Sequence, residues 1–388
     1  MKGQQKGLFG RGTELAGIDR LLDLAVDGPA GVLLAGEAGI GKTSLWLEGI
    51  AAAQRRGFRL MRSAPAEPER HLAYSSLSDL LGDIHLSTLA DLPAAQRTAL
   101  EVALLQAAPG PSPVEQSAVA AGVLSILRSA CAEQPVLVAI DDVQWLDDAS
   151  AAAVAFALRR APIGRLRFLA THRTGEFDPL GLDRPMAEES MDRIEVGPVP
   201  LDDFDALLAR EFSPDLRLPE TAAIHRACSG NPFLGLELGH AFAGGRLKLE
   251  PGRTVRLPRR LDRLVSDRLN ALPPEVARLL MAISALSHPS IDDLEALDDC
   301  AQANLAVAEW AGVVAVDAGR IRFTHPLLGA AAYSRSSERQ RRSLHARLAE
   351  VVVDPEEAAR HMALGTPPPS ERVATALEVA AGRALARG

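Results

Sequence analysis

Lysine is nearly missing from this chain of 388 residues: Lys2, Lys6, Lys42 and Lys248 stand among 42 basic residues in all. The remaining basic residues are arginine, a bias of the kind a GC-rich bacterial genome imposes. Aromatic residues are scarce too, at 4%, so alanine and leucine carry the core, a composition that favours helices. Cysteine is limited to Cys131, Cys228 and Cys300, widely spaced and without a C-x-x-C pair. That pattern suits a reducing compartment and buried thiols. No apolar run is long enough to cross a bilayer, and the opening residues 1–7 are polar, so neither a membrane anchor nor a signal peptide is expected. The expected location is the cytoplasm. A net charge of −8 and a pI near 5.7 argue against a protein that coats nucleic acid.

One of the four lysines sits in the most informative run of the chain, Gly36-Glu37-Ala38-Gly39-Ile40-Gly41-Lys42-Thr43. It fits G-x-x-x-x-G-K-[ST], with an apolar strand pattern ahead (30–35) and a helix pattern behind (44–53). The glycines let backbone N–H groups turn inward around phosphate oxygens, aided by the helix N-terminus that begins near Ser44. Lys42 is expected to reach the β- and γ-phosphates, and the Thr43 hydroxyl to take one Mg²⁺ position. The alternative is a glycine-rich strand–helix turn with no ligand.

The pattern elsewhere predicts an α/β P-loop NTPase fold: a parallel sheet with helices on both faces. Strands are expected at 57–63, 136–140, 166–171 and 193–196, and helices at 8–22 (capped by Thr13), 72–86, 94–107, 114–131 and 150–160. Beyond Pro200 the grain becomes helical. Three helices and a hairpin around Ala318-Gly319 then suggest a winged helix, followed by further helices to the end. The expected domains are a nucleotide-binding α/β domain (1–199), a helical lid (200–255), a winged-helix-like domain (256–325) and the start of an all-helical repeat region (326–388).

Asp141 and Asp142 close the apolar run 136–140 and supply the second half of a nucleotide site. Asp141 is assigned to the Mg²⁺ shell and Asp142 to orienting or deprotonating the attacking water, with Asp147 and Glu37 as the reserve acids. Helix capping is the alternative for the aspartate pair. Thr171-His172-Arg173 ends the next strand at the same sheet edge. Arg173 there either senses phosphate or is a surface arginine that ends a strand.

The string Ile140-Asp141-Asp142-Val143-Gln144-Trp145-Leu146-Asp147 resembles the Walker B signature of the STAND class of signalling ATPases. It is similar to that of the large ATP-binding regulators of the LuxR family, which include the MalT-like activators. Leu8-Phe9-Gly10-Arg11-Gly12-Thr13-Glu14-Leu15 resembles the opening motif of that family, which implies that Arg11 lies near the adenine. Gly230-Asn231-Pro232-Phe233 resembles the G-x-P motif of the lid and implies that Pro232 contacts nucleotide; the same residues also read as a helix-start turn. Phe323-Thr324-His325-Pro326 resembles the segment after the winged helix and implies that His325 meets phosphate, against a capping or core role.

The resemblance implies a nucleotide-dependent switch using ATP/ADP and Mg²⁺, with slow hydrolysis and self-association or a partner protein when ATP is bound. Family members continue into a helical-repeat sensor and a DNA-binding domain, whereas this chain stops after the first helices of that region. No direct DNA contact is expected from it. Residues 271–323 carry eight acidic side chains against Arg278, Arg320 and Arg322. The basic stretches 253–268 and 335–347 read as solvated helix faces or interdomain contacts. A self-sufficient AAA-type motor is the alternative, with Arg159, Arg160 and Arg165 as arginine-finger candidates. A nucleotide-locked binding module without turnover is a third.

Overall fold

The computed structural model describes residues 8–23, 31–82, 92–107, 115–161, 164–182, 191–212, 218–243, 269–270, 272–317, 319–324, 326–367 and 369–387. The chain divides into two compact units, one ending at Val255 and the other covering Arg256–Ala386.

The first unit is built on β1 (Gly31–Gly36), β2 (Arg59–Ser63), β3 (Val136–Ile140), β4 (Leu166–Arg173) and β5 (Met191–Glu195). These pair in the order β2-β3-β4-β1-β5, parallel throughout. The sheet is the parallel α/β one that the alternation of patterns predicts. β1 and β3 are buried along their whole length, as expected of strands covered on both faces.

Helices α1 (Gly12–Leu22) and α2 (Lys42–Arg55) cover one face. There Ile18, Leu21, Leu45, Trp46 and Ile50 pack on Val32, Leu34, Leu137 and Leu169. The other face is covered by α3 (Ser75–Leu81), α4 (Ala94–Ala103), α5 (Gln116–Glu133) and α6 (Asp148–Leu158). The alternating sides of β3 and β4 thus feed two cores, and polar groups are concentrated at the carboxyl edge. α1 is not capped by Thr13: the cap position is Arg11, whose side chain makes no capping bond because it reaches elsewhere.

The expected helix over 72–86 is also corrected. A short 3₁₀ turn occupies Glu67–His71, and α3 starts only at Ser75 because Tyr74 is left-handed (φ 63°). The reason lies 73 positions away. Asp147 accepts the Tyr74 N–H (2.8 Å) and the Ser76 N–H (3.2 Å), and it also caps α6 through the Ser150 N–H (2.8 Å). One buried carboxylate therefore starts two helices.

The first unit ends in three helices, α7 (Leu201–Phe212), α8 (Leu218–Cys228) and α9 (Pro232–Ala243). Phe204 and Phe212 of α7 lie against Gly235 and Gly239 of α9, where an added Cβ would sit 2.2 Å and 2.4 Å from the rings. Phe204 also meets His225 of α8 edge to face at 4.9 Å.

In the second unit α10 (Pro274–Ala285), α11 (Ile291–Glu295) and α12 (Ala301–Trp310) precede an antiparallel hairpin, β6 (Val314–Asp317) with β7 (Arg320–Phe323). Four helices follow: α13 (Pro326–Ser334), α14 (Glu338–Val351), α15 (Pro355–Gly365) and α16 (Glu371–Arg387). A largely buried polar row joins the first three of them. Tyr333 Oη lies 2.8 Å from His345 Nε2, His345 Nδ1 lies 2.8 Å from His361 Nδ1, and His361 Nε2 lies 3.6 Å from Glu357 Oε1. Glu357 in turn accepts the Ser287 N–H just beyond α10 (2.7 Å). Burial, with the charges of His361, Arg360 and Arg341, pushes His345 down to about 4. Hydrogen bonds from His361 and Ser287 hold Glu357 below the usual carboxylate range, although burial alone would raise it.

Candidate functional site

The loop 36–43 joins β1 to α2 with two left-handed glycines, Gly39 (φ 77°) and Gly41 (φ 106°), the latter at the α2 N-cap. A side chain at either position would be strained, so glycine is required there by conformation.

Five consecutive carbonyls of this loop, Gly36 to Ile40, accept hydrogen bonds from different parts of the first unit. Lys42 Nζ donates to Gly36 O and Glu37 O at 2.9 Å each. Asn231 Nδ2 donates to Ala38 O (3.0 Å), and the Phe233 N–H donates to Gly39 O (3.3 Å). Arg11 Nη2 donates to Ile40 O (2.6 Å). With its carbonyls engaged, a turn of this kind leaves its N–H groups for an anion.

Burial lowers the Lys42 pKa, opposed by Asp142, Asp141 and Glu37 and assisted by Arg173. Glu37 is exposed, as are Thr43 and Ser44 at the start of α2. Arg11 also holds Gly197 O (2.7 Å) and Glu14 (3.0 Å), so its donors serve the loop and the segment after β5.

Asp141 and Asp142 leave β3 at the same edge. Asp141 is buried and accepts the Thr171 hydroxyl at 2.5 Å. Burial, then the neighbouring Asp142, pushes it up to about 6, while hydrogen bonds from Thr171 and Thr43 and the charge of Lys42 pull it back. This carboxyl therefore links the ends of β3 and β4 with the start of α2.

Asp142 is left-handed (φ 47°), a conformation aspartate tolerates better than most residues. Its N–H donates to Thr171 Oγ1 (2.7 Å), and its carboxylate accepts Gln144 Nε2 (2.9 Å) and stands 3.8 Å from Arg173 Nε. Gln144 Oε1 accepts the Arg173 N–H (3.3 Å), and the Arg173 guanidinium lies over the Trp145 ring at 5.6 Å. Thr171 and Gln144 are the bridging residues that pattern reading leaves without a role, although both lie inside the strings it singles out.

Pro232 opens α9 between the two residues that touch the loop. His325 lies outside the described residues, as do the basic stretch 253–268 and the Ala318 position of the hairpin. Asp147 is corrected as a reserve acid: its carboxylate is 1% exposed and taken up by the starts of α3 and α6. Of the arginine-finger candidates, Arg165 donates to Cys131 O and Ala132 O, and Arg160 lies over Phe156 at 4.0 Å. No helix among the described residues is long and apolar enough to cross a membrane.

A five-stranded parallel sheet with a lysine-bearing loop after β1, and paired aspartates after β3 at the same edge, defines a P-loop NTPase. Residues 7–169 match the family described as AAA ATPase domain. A solved structure of a Signal Transduction ATPase with Numerous Domains (STAND) protein with a tetratricopeptide repeat sensor, from Pyrococcus horikoshii, shares its fold. The match has 16% identity and a TM-score of 0.63, and covers 97% of this chain and 50% of that one. The chain thus spans half the length of that protein. Looser matches are the Walker-type ATPase of Pyrococcus abyssi (16% identity, TM-score 0.43, 85% of this chain and 97% of that one) and a DNA replication initiation factor (14%, 0.37, 96% and 89%). A comparison with curated proteins finds no match.

Proposed function

We propose that the chain is an ATP-binding signalling switch with slow Mg²⁺-dependent hydrolysis, the ATPase module of a regulator of the LuxR, MalT-like kind. The observation that carries this reading is the convergence of Lys42, Thr43, Asp141, Asp142 and Arg173 at one sheet edge. The N–H groups of residues 36–44 and the Lys42 ammonium bind the β- and γ-phosphates. Arg11 acts on them through the loop it supports, and Pro232, placed between the two residues that touch that loop, contacts the nucleotide.

Thr43 and Asp141 offer hard oxygen ligands of the kind Mg²⁺ takes. When bound, the ion neutralises charge on the β- and γ-phosphates. Asp142, held by Gln144 and Thr171, orients the attacking water, and Arg173 meets the γ-phosphate. An aspartate in place of the longer glutamate at position 142 fits slow turnover, which suits a switch whose states differ in their affinity for ATP and ADP. The output is activation of transcription after self-association, in the cytoplasm. Of the motor's finger candidates, Arg165 and Arg160 make contacts within the domain, and Arg159, also exposed, is the one that a motor would use.

The test is the nucleotide that co-purifies with the protein, followed by single-turnover hydrolysis. Retained ADP with slow turnover is expected. Lys42→Ala should abolish triphosphate binding, while Asp142→Asn should retain binding and slow hydrolysis by 10²-fold or more, on the order of a general-base contribution. Fast hydrolysis stimulated by DNA, or ATP affinity unchanged in Lys42→Ala, would overturn the reading.

A further inference from the structure

The two bonds that reach the loop from α9 come from opposite sides of one residue, Pro232. Asn231 Nδ2 donates to Ala38 O and the Phe233 N–H donates to Gly39 O, across 193 and 194 positions of chain. Asn231 is 5% exposed, and its amide has a second task. Its Oδ1 accepts the Leu234 N–H (3.3 Å), which makes it the cap of α9 and fixes the orientation of the amide.

The turn that carries it is rigid. Gly230 is left-handed (φ 71°) against Val199 O and Pro198, its N–H donates to His225 O (3.1 Å), and His225 Nε2 lies 2.9 Å from Val199 O. α7, α8 and α9 are in turn interlocked through Phe204, Phe212 and His225. A displacement of Ala38 and Gly39 is therefore passed to a three-helix body and not absorbed by a slack linker.

We propose that Asn231 is a positioning residue that latches the α7–α9 body to the phosphate loop, so that leaving of the phosphates and release of these helices are coupled. The inference rests on the nucleotide-binding reading above. Phosphate held on the N–H side of residues 38 and 39 keeps their carbonyls aimed at Asn231 and Phe233. Rotation of those peptide units on phosphate loss turns the acceptors away. The coupling is reciprocal in binding free energy, so helices held on the loop tighten nucleotide binding, and the tighter complex is expected to release more slowly.

The dual role of the amide supplies the test. Asn231→Ser keeps a hydroxyl oxygen for the Leu234 N–H and so keeps the cap, but it is too short to donate to Ala38 O. Asn231→Ala removes both. Release of a fluorescent ADP analogue from the full chain is followed by stopped flow, with thermal melting in the absence of nucleotide measured in parallel.

Asn231→Ser should melt above Asn231→Ala, because it keeps the cap, yet release the analogue roughly 3- to 10-fold faster than the wild type, the value of one lost hydrogen bond. Asn231→Ala should release as fast and melt lower still. Release from Asn231→Ser at the wild-type rate would overturn the latch. So would acceleration in Asn231→Ser accompanied by the same melting loss as Asn231→Ala, which would reduce Asn231 to a cap. A wild-type chain that binds no analogue would overturn the nucleotide reading itself and this inference with it.

Discussion

Arg11 shows how much of the site depends on groups that never touch chemistry. Its guanidinium is 4% exposed and joins Ile40 O, Gly197 O and the Glu14 carboxylate. Arg11→Ala would leave a buried carboxylate and two carbonyls without their donor, a loss of about 3–5 kcal/mol in chemical denaturation. Arg11→Lys should recover only part, because an ammonium cannot span the three acceptors in the plane of a guanidinium. The sequence string around Arg11 directs attention to the residue, but its partners are 29 and 186 positions away and no local pattern announces them.

At the scale of helices, packing decides the sign of the same substitution. Gly235 in α9 sits against Phe204, and an alanine Cβ would come within 2.2 Å of its ring. Gly382 in α16 has nothing within 4 Å. Gly382→Ala should raise stability by about 1 kcal/mol from helix propensity alone. Gly235→Ala should lower it by about 1–3 kcal/mol, because overpacking outweighs that gain. Melting of the two single variants checks both signs. The elements themselves are largely legible. The continuous apolar run 136–140 is a buried strand to the residue, and the boundaries of α5 and α6 fall within two residues of the expected 114–131 and 150–160. The break in 72–86 is not legible, because Tyr74 is turned by a carboxylate that arrives from another element. Asn231 likewise reads locally as the start of a helix, and only the fold brings Ala38 to its amide.

For the whole molecule, acidity acts on the two units in opposite directions. His345 titrates near 4 in the fold, against an ordinary value near 6.5. The unfolded chain therefore takes up a proton that the native state refuses, and stability falls as pH drops from about 6.5 to about 4. Glu357, held low, adds to the loss as pH falls through its ordinary range. Asp141, raised to about 6, does the reverse: its contribution is complete below about 3.8 and is lost as pH rises through 6. The melting temperature of the second unit should decline from pH 6.5 to 4, and His345→Gln should make that decline shallower. A decline of unchanged slope would show that the histidine pair is not its source.

Asp147 has a consequence in time as well as in structure. Its carboxylate starts α3 and α6 together, through bonds spanning 71 to 73 positions on one side and 3 on the other. The α6 cap is local and can form by itself, whereas the start of α3 waits for Asp147, with α4, α5 and β3 lying between them. Closing so long a loop costs entropy before any contact repays it, and such closures slow folding. The left-handed Tyr74 thus depends on a contact closed across α4, α5 and β3, and its amide is expected to gain protection late in refolding.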